Sequence, residues 1–348
     1  MKSRYSHSLW LAMAMLALGL VGVSCTKSTS QTHISFSAQM RGTPTRTSYS
    51  GEGTVTGGKL VEERIDWTDG DLITIYSPQA AMLDGTTHLC DYRIVTHSTL
   101  ADNLTSRATI EPIERNGLQW GTGTHAFYAR YPSGSLTETQ MTGTIPSAQN
   151  PAWSGLTGRP QMQYAYMFAR TTGVSAGAEE VNLKFEPAFT AFEFTVGRGK
   201  NASVALTSFT LATEDASGYL AGGFTLNNAT FTVTTASDAV TVTPDGASKS
   251  ITVSLEGKTV SEGNDLTFTV LALPKDLTKL KMTFEGPVIG IRTLRLNDAS
   301  GSPLSFAACK KYRIQGISFP SVLTAEGEEI EWDLEGFEED LIWDNTWN

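Results

Sequence analysis

The sequence predicts an all-β protein built as two tandem β-sandwich domains behind an export signal. Three observations predict it. Short segments with two-residue alternation recur along the chain. Turn dipeptides separate them, and no stretch longer than two turns carries the 3.6-residue period of an amphipathic helix.

The alternation begins at Ile34, Phe36 and Ala38, with Ser35 and Ser37 between them, and continues at Leu72–Tyr76 (LITIY). It resumes at Phe192, Phe194 and Val196, then at 224–226, 230–233, 240–242, 251–255, 266–271, 279–284 and 312–319. Asp69-Gly70, Asp84-Gly85, Asn116-Gly117, Asn227-Asn228 and Asp245-Gly246 supply turns, because Gly accepts positive φ and Asn or Asp bonds its own backbone. The Gly/Ser/Thr-rich stretch 171–178 reads as a hinge, which sets the domains at 33–178 and 179–320. Residues 145–160, with three prolines, read as a long surface loop carrying Trp153, either exposed or folded back onto a sheet edge. No internal repeat is present.

Residues 1–24 form the export signal. Lys2 and Arg4 precede a 15-residue apolar run from Leu9 to Val23, short for a membrane span, which needs about 20 residues. The sequence LVGVSC, ending at Cys25, resembles a bacterial lipobox, with Gly22 where lipoboxes usually place Leu. It marks Cys25 as the lipidation site; the alternative is cleavage nearby without a lipid. Residues 25–32 then read as a small, polar, flexible tether.

Charge is concentrated at the other end. Ser321–Asn348 holds ten acidic residues and no Lys or Arg, leaving 26 acidic against 26 basic residues elsewhere. The segment also holds Trp332, Trp343 and Trp347. Ile330, Trp332 and Leu334 alternate with Glu331, Asp333 and Glu335, the pattern of a strand with one face to bury. Three readings stand: a strand completing its own second domain, a strand donated to another molecule, or a solvated acidic tail.

The chemistry-bearing motifs are sparse. Gly173-Val174-Ser175-Ala176-Gly177 matches G-x-S-x-G, but a nucleophile elbow needs a following helix and a downstream His. All five histidines (His7, His33, His88, His97, His125) precede Ser175. No two have metal-ligand spacing, so neither a catalytic residue nor a metal site is expected. Asp69 and Asp71 read as a solvated turn, and Glu62/Glu63 and Glu111/Glu114 as surface charge. Cys90 and Cys309 read as semi-buried thiols, with one bridge between them as the alternative. No cofactor is implied, and the absence of a basic patch argues against nucleic acid.

Four segments carry a family resemblance. Arg64–Ser77 (RIDWTDGDLITIYS), the preceding TRTSYSG at 45–51, Val181–Val196 (VNLKFEPAFTAFEFTV) and Leu304–Phe319 (LSFAACKKYRIQGISF) resemble the fimbrillin-like lipoproteins of Bacteroides-type bacteria, the type V pilin superfamily. In the last segment Cys309 stands where the pattern F-x-x-G-K-x-Y has Gly. The resemblance implies transthyretin-like Greek-key sandwiches in a non-enzymatic fimbrial (pilus), accessory or tip subunit for adhesion. It implies anchoring in the outer membrane through lipid on Cys25, then a cut after an Arg by a trypsin-like surface protease. That cut removes the N-terminal strand, and the vacated groove takes a strand from another pilus subunit. Here the removable strand is Ile34–Ala38. Arg46 is the preferred cut and Arg41 the second, against the alternative that both are ordinary loop residues. Ile330, Trp332 and Leu334 are the candidate donor residues. The rival function is a surface glycan-binding lipoprotein of a nutrient-uptake system, using exposed aromatics such as Trp120, Trp153 or Tyr164.

Overall fold

The computed structural model describes residues 33–40, 49–56, 59–65, 67–96, 107–114, 116–198, 203–296 and 302–319. The architecture is all-β. The first half contains β1 (Phe36–Met40), the hairpin β2 (Tyr49–Thr56) and β3 (Lys59–Ile65), β4 (Leu72–Tyr76), β5 (Leu89–Val95), β6 (Arg107–Pro112) and β7 (Thr124–Tyr131). Four short strands come next: β8 (Gln140–Ile145), β9 (Ala148–Gln149), β10 (Ala152–Ser154) and β11 (Thr157–Arg159). Then come β12 (Met167–Ser175) and β13 (Val181–Pro187). Hydrogen bonding closes seven of these into a barrel in the order β1-β13-β12-β7-β4-β5-β6, so the first module has no separate pair of sheets. Its interior is aromatic: Phe36, Trp67, Tyr92, Phe127, Tyr131 and Phe185 are all buried. Their rings meet edge to face, as in Trp67–Phe185 at 5.1 Å, the geometry that ring quadrupoles favour.

The second module contains β14 (Thr190–Arg198), β15 (Ser203–Thr213), β16 (Gly222–Asn227), β17 (Val240–Val242), β18 (Ser250–Ser261) and β19 (Leu266–Ala272). It continues with β20 (Leu277–Thr278), β21 (Leu280–Gly286), β22 (Gly290–Arg295), β23 (Ser305–Phe306) and β24 (Lys311–Phe319). Two five-stranded sheets, β10-β11-β19-β14-β24 and β22-β21-β15-β18-β9, pack through interdigitated rings. Phe209 meets Phe194 at 4.6 Å and Phe268 at 4.9 Å. This is a sandwich core of inward-facing alternate residues.

Strand pairing does not respect the boundary expected at residue 178. The stretch read as a hinge is mostly strand: β12 runs to Ser175 against β7. β13 then returns to the barrel between β12 and β1. Residues 140–159 leave the barrel instead and join the second module, β8 on β16, β9 on β18 and β11 on β19. The expected surface loop at 145–160 is therefore largely paired backbone. Thr230–Val233, read as a strand, belongs to a turn in which Thr235 Oγ1 donates to the Thr230 carbonyl. A single helical turn, Ala236–Ala239, comes after it. Hydroxyls that bond local backbone compete with a sheet ladder.

The Asp69-Gly70-Asp71 turn shows how local chemistry fixes a barrel corner. Gly70 sits at φ +88, where a Cβ would be strained. Asp71 Oδ2 accepts from the Thr68 N–H at 2.7 Å, and Asp69 Oδ1 from the Thr96 N–H at 3.0 Å. Burial raises the Asp71 carboxyl from 3.8 to about 6, against the lowering effect of the Thr68 bond. The folded chain therefore holds a proton between those values that the unfolded chain releases, so stability falls as pH rises across that window. Asp71→Asn is expected to flatten the stability profile between pH 4 and 6, measured by urea unfolding.

Candidate functional site: the barrel-closing strand

β1 is the first strand of the barrel, and both its edges are paired. It runs parallel to β13, from Phe36↔Val181 to Met40↔Phe185, and antiparallel to β6, from Phe36↔Ile110 to Gln39↔Arg107. The ladder extends past the strand: Ile34 N–H donates to Leu118 O at 3.1 Å and Val181 N–H to Ser35 O at 2.9 Å. Asn182 Nδ2 donates to Gln39 Oε1 at 2.9 Å. Inward, Ile34, Phe36 and Ala38 are 1%, 3% and 0% exposed. Phe36 makes edge-to-face contacts at 5.3 Å with both Tyr92 and Phe127. Ala38 lies level with Leu183 on one neighbour and Ala108 on the other. β1 thus acts as a plug as well as a strand. Without it, β13 and β6 would be open edges flanking a slot with one aromatic-lined pocket and one small pocket.

The predicted processing residues Arg41 and Arg46 lie between β1 and β2, outside the described residues. A cut after either would separate β1 from the other barrel strands in covalent terms. Cys25, Ile330, Trp332 and Leu334 also lie outside the described residues.

At the far end, β24 is the last described strand and forms one margin of its sheet, parallel to β14. It is pinned by charge. Lys311 Nζ is 2.6 Å from Glu193 Oε2, and Arg313 Nε is 2.8 Å from Glu193 Oε1, with the Lys311 side chain 2% exposed. Burial pushes the Glu193 carboxyl upward, but the two cations outweigh it and hold the group below its ordinary value.

The other candidates do not assemble into a site. Ser175 is exposed at the end of β12, level with Thr124. The neighbouring His125 is buried with both ring nitrogens on backbone, Nδ1 toward Gly123 O and Nε2 accepting from Gly121 N–H. The chain continues into β13 rather than a helix. Among the described residues no cluster of three or more His, Cys, Asp or Glu could hold a metal, and no helix is long and apolar enough to cross a membrane. Cys90 and Cys309 are buried free thiols rather than a bridge. Burial pushes Cys90 up to about 11 and Cys309 well above the ordinary thiol value.

The aromatics proposed for sugar binding are turned inward. Trp120 is 8% exposed and meets His125 and Phe127 edge to face. Tyr164 is half-buried against the cores. Trp153, in β10, folds back over the sheet edge against Phe268, with Lys258 Nζ 5.2 Å from its ring centre. Gly158 lies opposite it in β11, where a Cβ would come within 2.7 Å of the indole.

Against known proteins, a fimbrillin-like family model matches residues 53–326, most of the chain and both modules. The chain belongs to the fimbrillin-like family. A candidate cell adhesion protein from Bacteroides uniformis has a similar fold, with a TM-score of 0.50 at 16% identity. The match covers 83% of this chain and 93% of that one. A candidate cell adhesion protein from Bacteroides ovatus matches at 0.48 and 18%, over 82% and 92% of the two chains. The tip fimbrial protein Mfa3 from Porphyromonas gingivalis matches at 0.34 and 6%, over 81% and 94%. No curated protein matches. Within this fimbrillin-like chain Cys309 adopts φ +57, the left-handed region. That gives a physical reason for the Gly of the sequence pattern, and the buried thiol here carries the strain instead.

Proposed function

We propose that this chain is a non-enzymatic fimbrial subunit, or an accessory or tip subunit, that serves adhesion and assembles by strand exchange. In this reading it is exported and held at the outer membrane by lipid on Cys25. A trypsin-like surface protease cuts after Arg46, or after Arg41, and β1 leaves with the lipid. The opened barrel takes a strand from another pilus subunit, supplied by the segment with Ile330, Trp332 and Leu334.

The observation that carries the reading is the placement of β1. The most N-terminal barrel strand is the one that closes the barrel. It buries alternate side chains, and residues 41–48 alone join it to β2. A strand added at two open edges gains a full ladder of backbone bonds, while alternate pockets select its side chains. The fimbrillin-like family and the cell-adhesion description of the B. uniformis protein support a cell-surface adhesive role. The inward turn of Trp120 and Trp153 weighs against the glycan-binding rival.

The test is the N-terminus of the protein released from the cell surface, read by mass spectrometry. A start at Thr47 is expected, and Arg46→Ala should trap the lipidated precursor. A start at Gly42 would move the cut to Arg41. Released protein that still begins at lipid-modified Cys25 would overturn the processing step.

A further inference from the structure

β22 is the margin of its five-stranded sheet, and among the described residues no strand pairs with its outer edge. The phase of the ladder shows which groups face outward. Leu296 N–H donates to Leu280 O at 2.9 Å, one step beyond the Lys281↔Arg295 pair. Antiparallel pairs that exchange bonds alternate with pairs that do not. The even-numbered residues of β22 therefore bond β21, while Ile291, Thr293 and Arg295 turn their N–H and C=O outward. Ile291, at 66% exposed, is also the most exposed large hydrophobic side chain among the described residues. β9, β10 and β17 end sheets too, but they are two or three residues long, and shortness blunts an edge. A row of hydroxyls leads to the open edge of β22. Thr252, Thr210, Thr283 and Thr293 stand in line across β18, β15, β21 and β22. Their Oγ1 atoms are 3.4 Å apart at Thr210–Thr252 and 3.0 Å apart at Thr283–Thr293.

We infer that β22 pairs antiparallel with β22 of a second copy of this chain, on a two-fold axis at Thr293. A two-fold contact must be self-complementary, and this register is. Thr293 meets Thr293 and Ile291 meets Arg295, so each outward N–H finds an outward C=O. The threonine row continues into the second copy, and Thr–Thr pairs are favourable cross-strand neighbours. The aliphatic stem of Arg295 covers Ile291, and its guanidinium is already held by Glu214, Nη2 to Oε1 at 3.3 Å. On the other face Arg292 stands opposite Leu294, beside the slot lined by Phe284, Leu294 and Ile317. Two costs come with this register. Arg292 Nη1 gives up its 3.4 Å bond to Ile291 O, and the two copies of Arg292 become diagonal neighbours of like charge. Other registers are worse. An axis at Arg292 or Arg295 sets like charges directly opposite, and one at Leu294 leaves Ile291 beyond the end of the partner strand. The inference stands apart from strand exchange, since β22 belongs to the sandwich and β1 to the barrel.

The purified full chain, untreated with protease so that no strand is released, is followed by sedimentation velocity over a concentration series. A weak monomer–dimer equilibrium is expected, tightening as salt screens the two copies of Arg292. Thr293→Asp and Thr293→Lys are each expected to raise the dissociation constant about fivefold or more, because each sets two like charges opposite one another on the axis. Mixed in equal amounts, the two variants should form a heterodimer at least as tight as the parent dimer, since the axis then joins opposite charges. Thr293 is exposed, and far-ultraviolet circular dichroism with the melting temperature of each variant confirms folding. A parent chain that stays monomeric throughout the series overturns the proposal. Single variants that dimerise like the parent overturn it too, by placing the contact on another surface. Loss in both variants without recovery on mixing would show that Thr293 does not meet its own copy, and this register would be wrong.

Discussion

Phe36→Ala is expected to lower the unfolding free energy of the unprocessed chain by about 3–5 kcal/mol and to leave the assembled polymer unchanged. The loss comes from the site. Phe36 is 3% exposed and wedged between Tyr92 and Phe127, in a barrel that has no second copy of that ring to fill the gap. The immunity of the polymer comes from the proposed exchange, in which β1 and its Phe36 are gone. Chemical denaturation of the precursor and the heat resistance of the polymer measure the two halves separately. A polymer weakened as much as the precursor would mean that β1 stays in place, and strand exchange at this slot would be refuted. Phe127→Ala provides the contrast. Its ring belongs to the acceptor, so both states should weaken.

Glu193→Gln is expected to cost about 3–5 kcal/mol, because it leaves the Lys311 ammonium buried with no opposite charge. Glu193 bridges Lys311 and Arg313 across β14 and β24 at 2.6 and 2.8 Å, so the loss should first loosen β24, the strand that leads into the acidic segment. The pH dependence has a fixed sign. The Glu193 carboxyl is held below its ordinary value of 4.5 in the folded chain. Its contribution is therefore present above that value and lost as pH falls through the folded value. Glu193→Gln should remove that part of the acid limb, read by urea unfolding from pH 3 to 7. Replacing Glu193 and Lys311 together with methionine should recover most of the loss, since well-packed apolar residues can substitute for a buried pair. Recovery by Lys311→Met alone would place the cost on Lys311 rather than on the pair.

Alternation made the strand content readable where a strand is straight. Ile34–Phe36–Ala38, Phe192–Phe194–Val196 and Ile251–Val253–Leu255 bury as their pattern requires. It was less readable where a bulge reverses parity. In β15 the buried residues are Val204 and Leu206, then Phe209 and Leu211, with a register shift between Leu206 and Ser208. The partner β18 absorbs the shift at Glu256 and Gly257, at φ +50 and +68. A single two-residue period breaks there, although the strand continues. β10 and β11 were hidden for another reason: three residues are too few to show a period, and only the pairing of β11 with β19 and of β10 with β11 makes them strands.

By itself the sequence determined the all-β class, the concentration of acidic charge after residue 320, and the alternating face of Ile34–Ala38. These are local properties, written in period, composition and order. Only the tertiary structure decided which strands are neighbours. β1 pairs with β13, whose Asn182 lies 143 residues from Gln39. β8 to β11 leave the barrel for the sandwich, and Trp153 turns onto Phe268 instead of facing solvent. A strand's pattern states that one face must be buried, but every alternating strand makes the same demand. The choice of partner depends on pocket size, register and closure, which exist once the barrel and the sandwich are assembled.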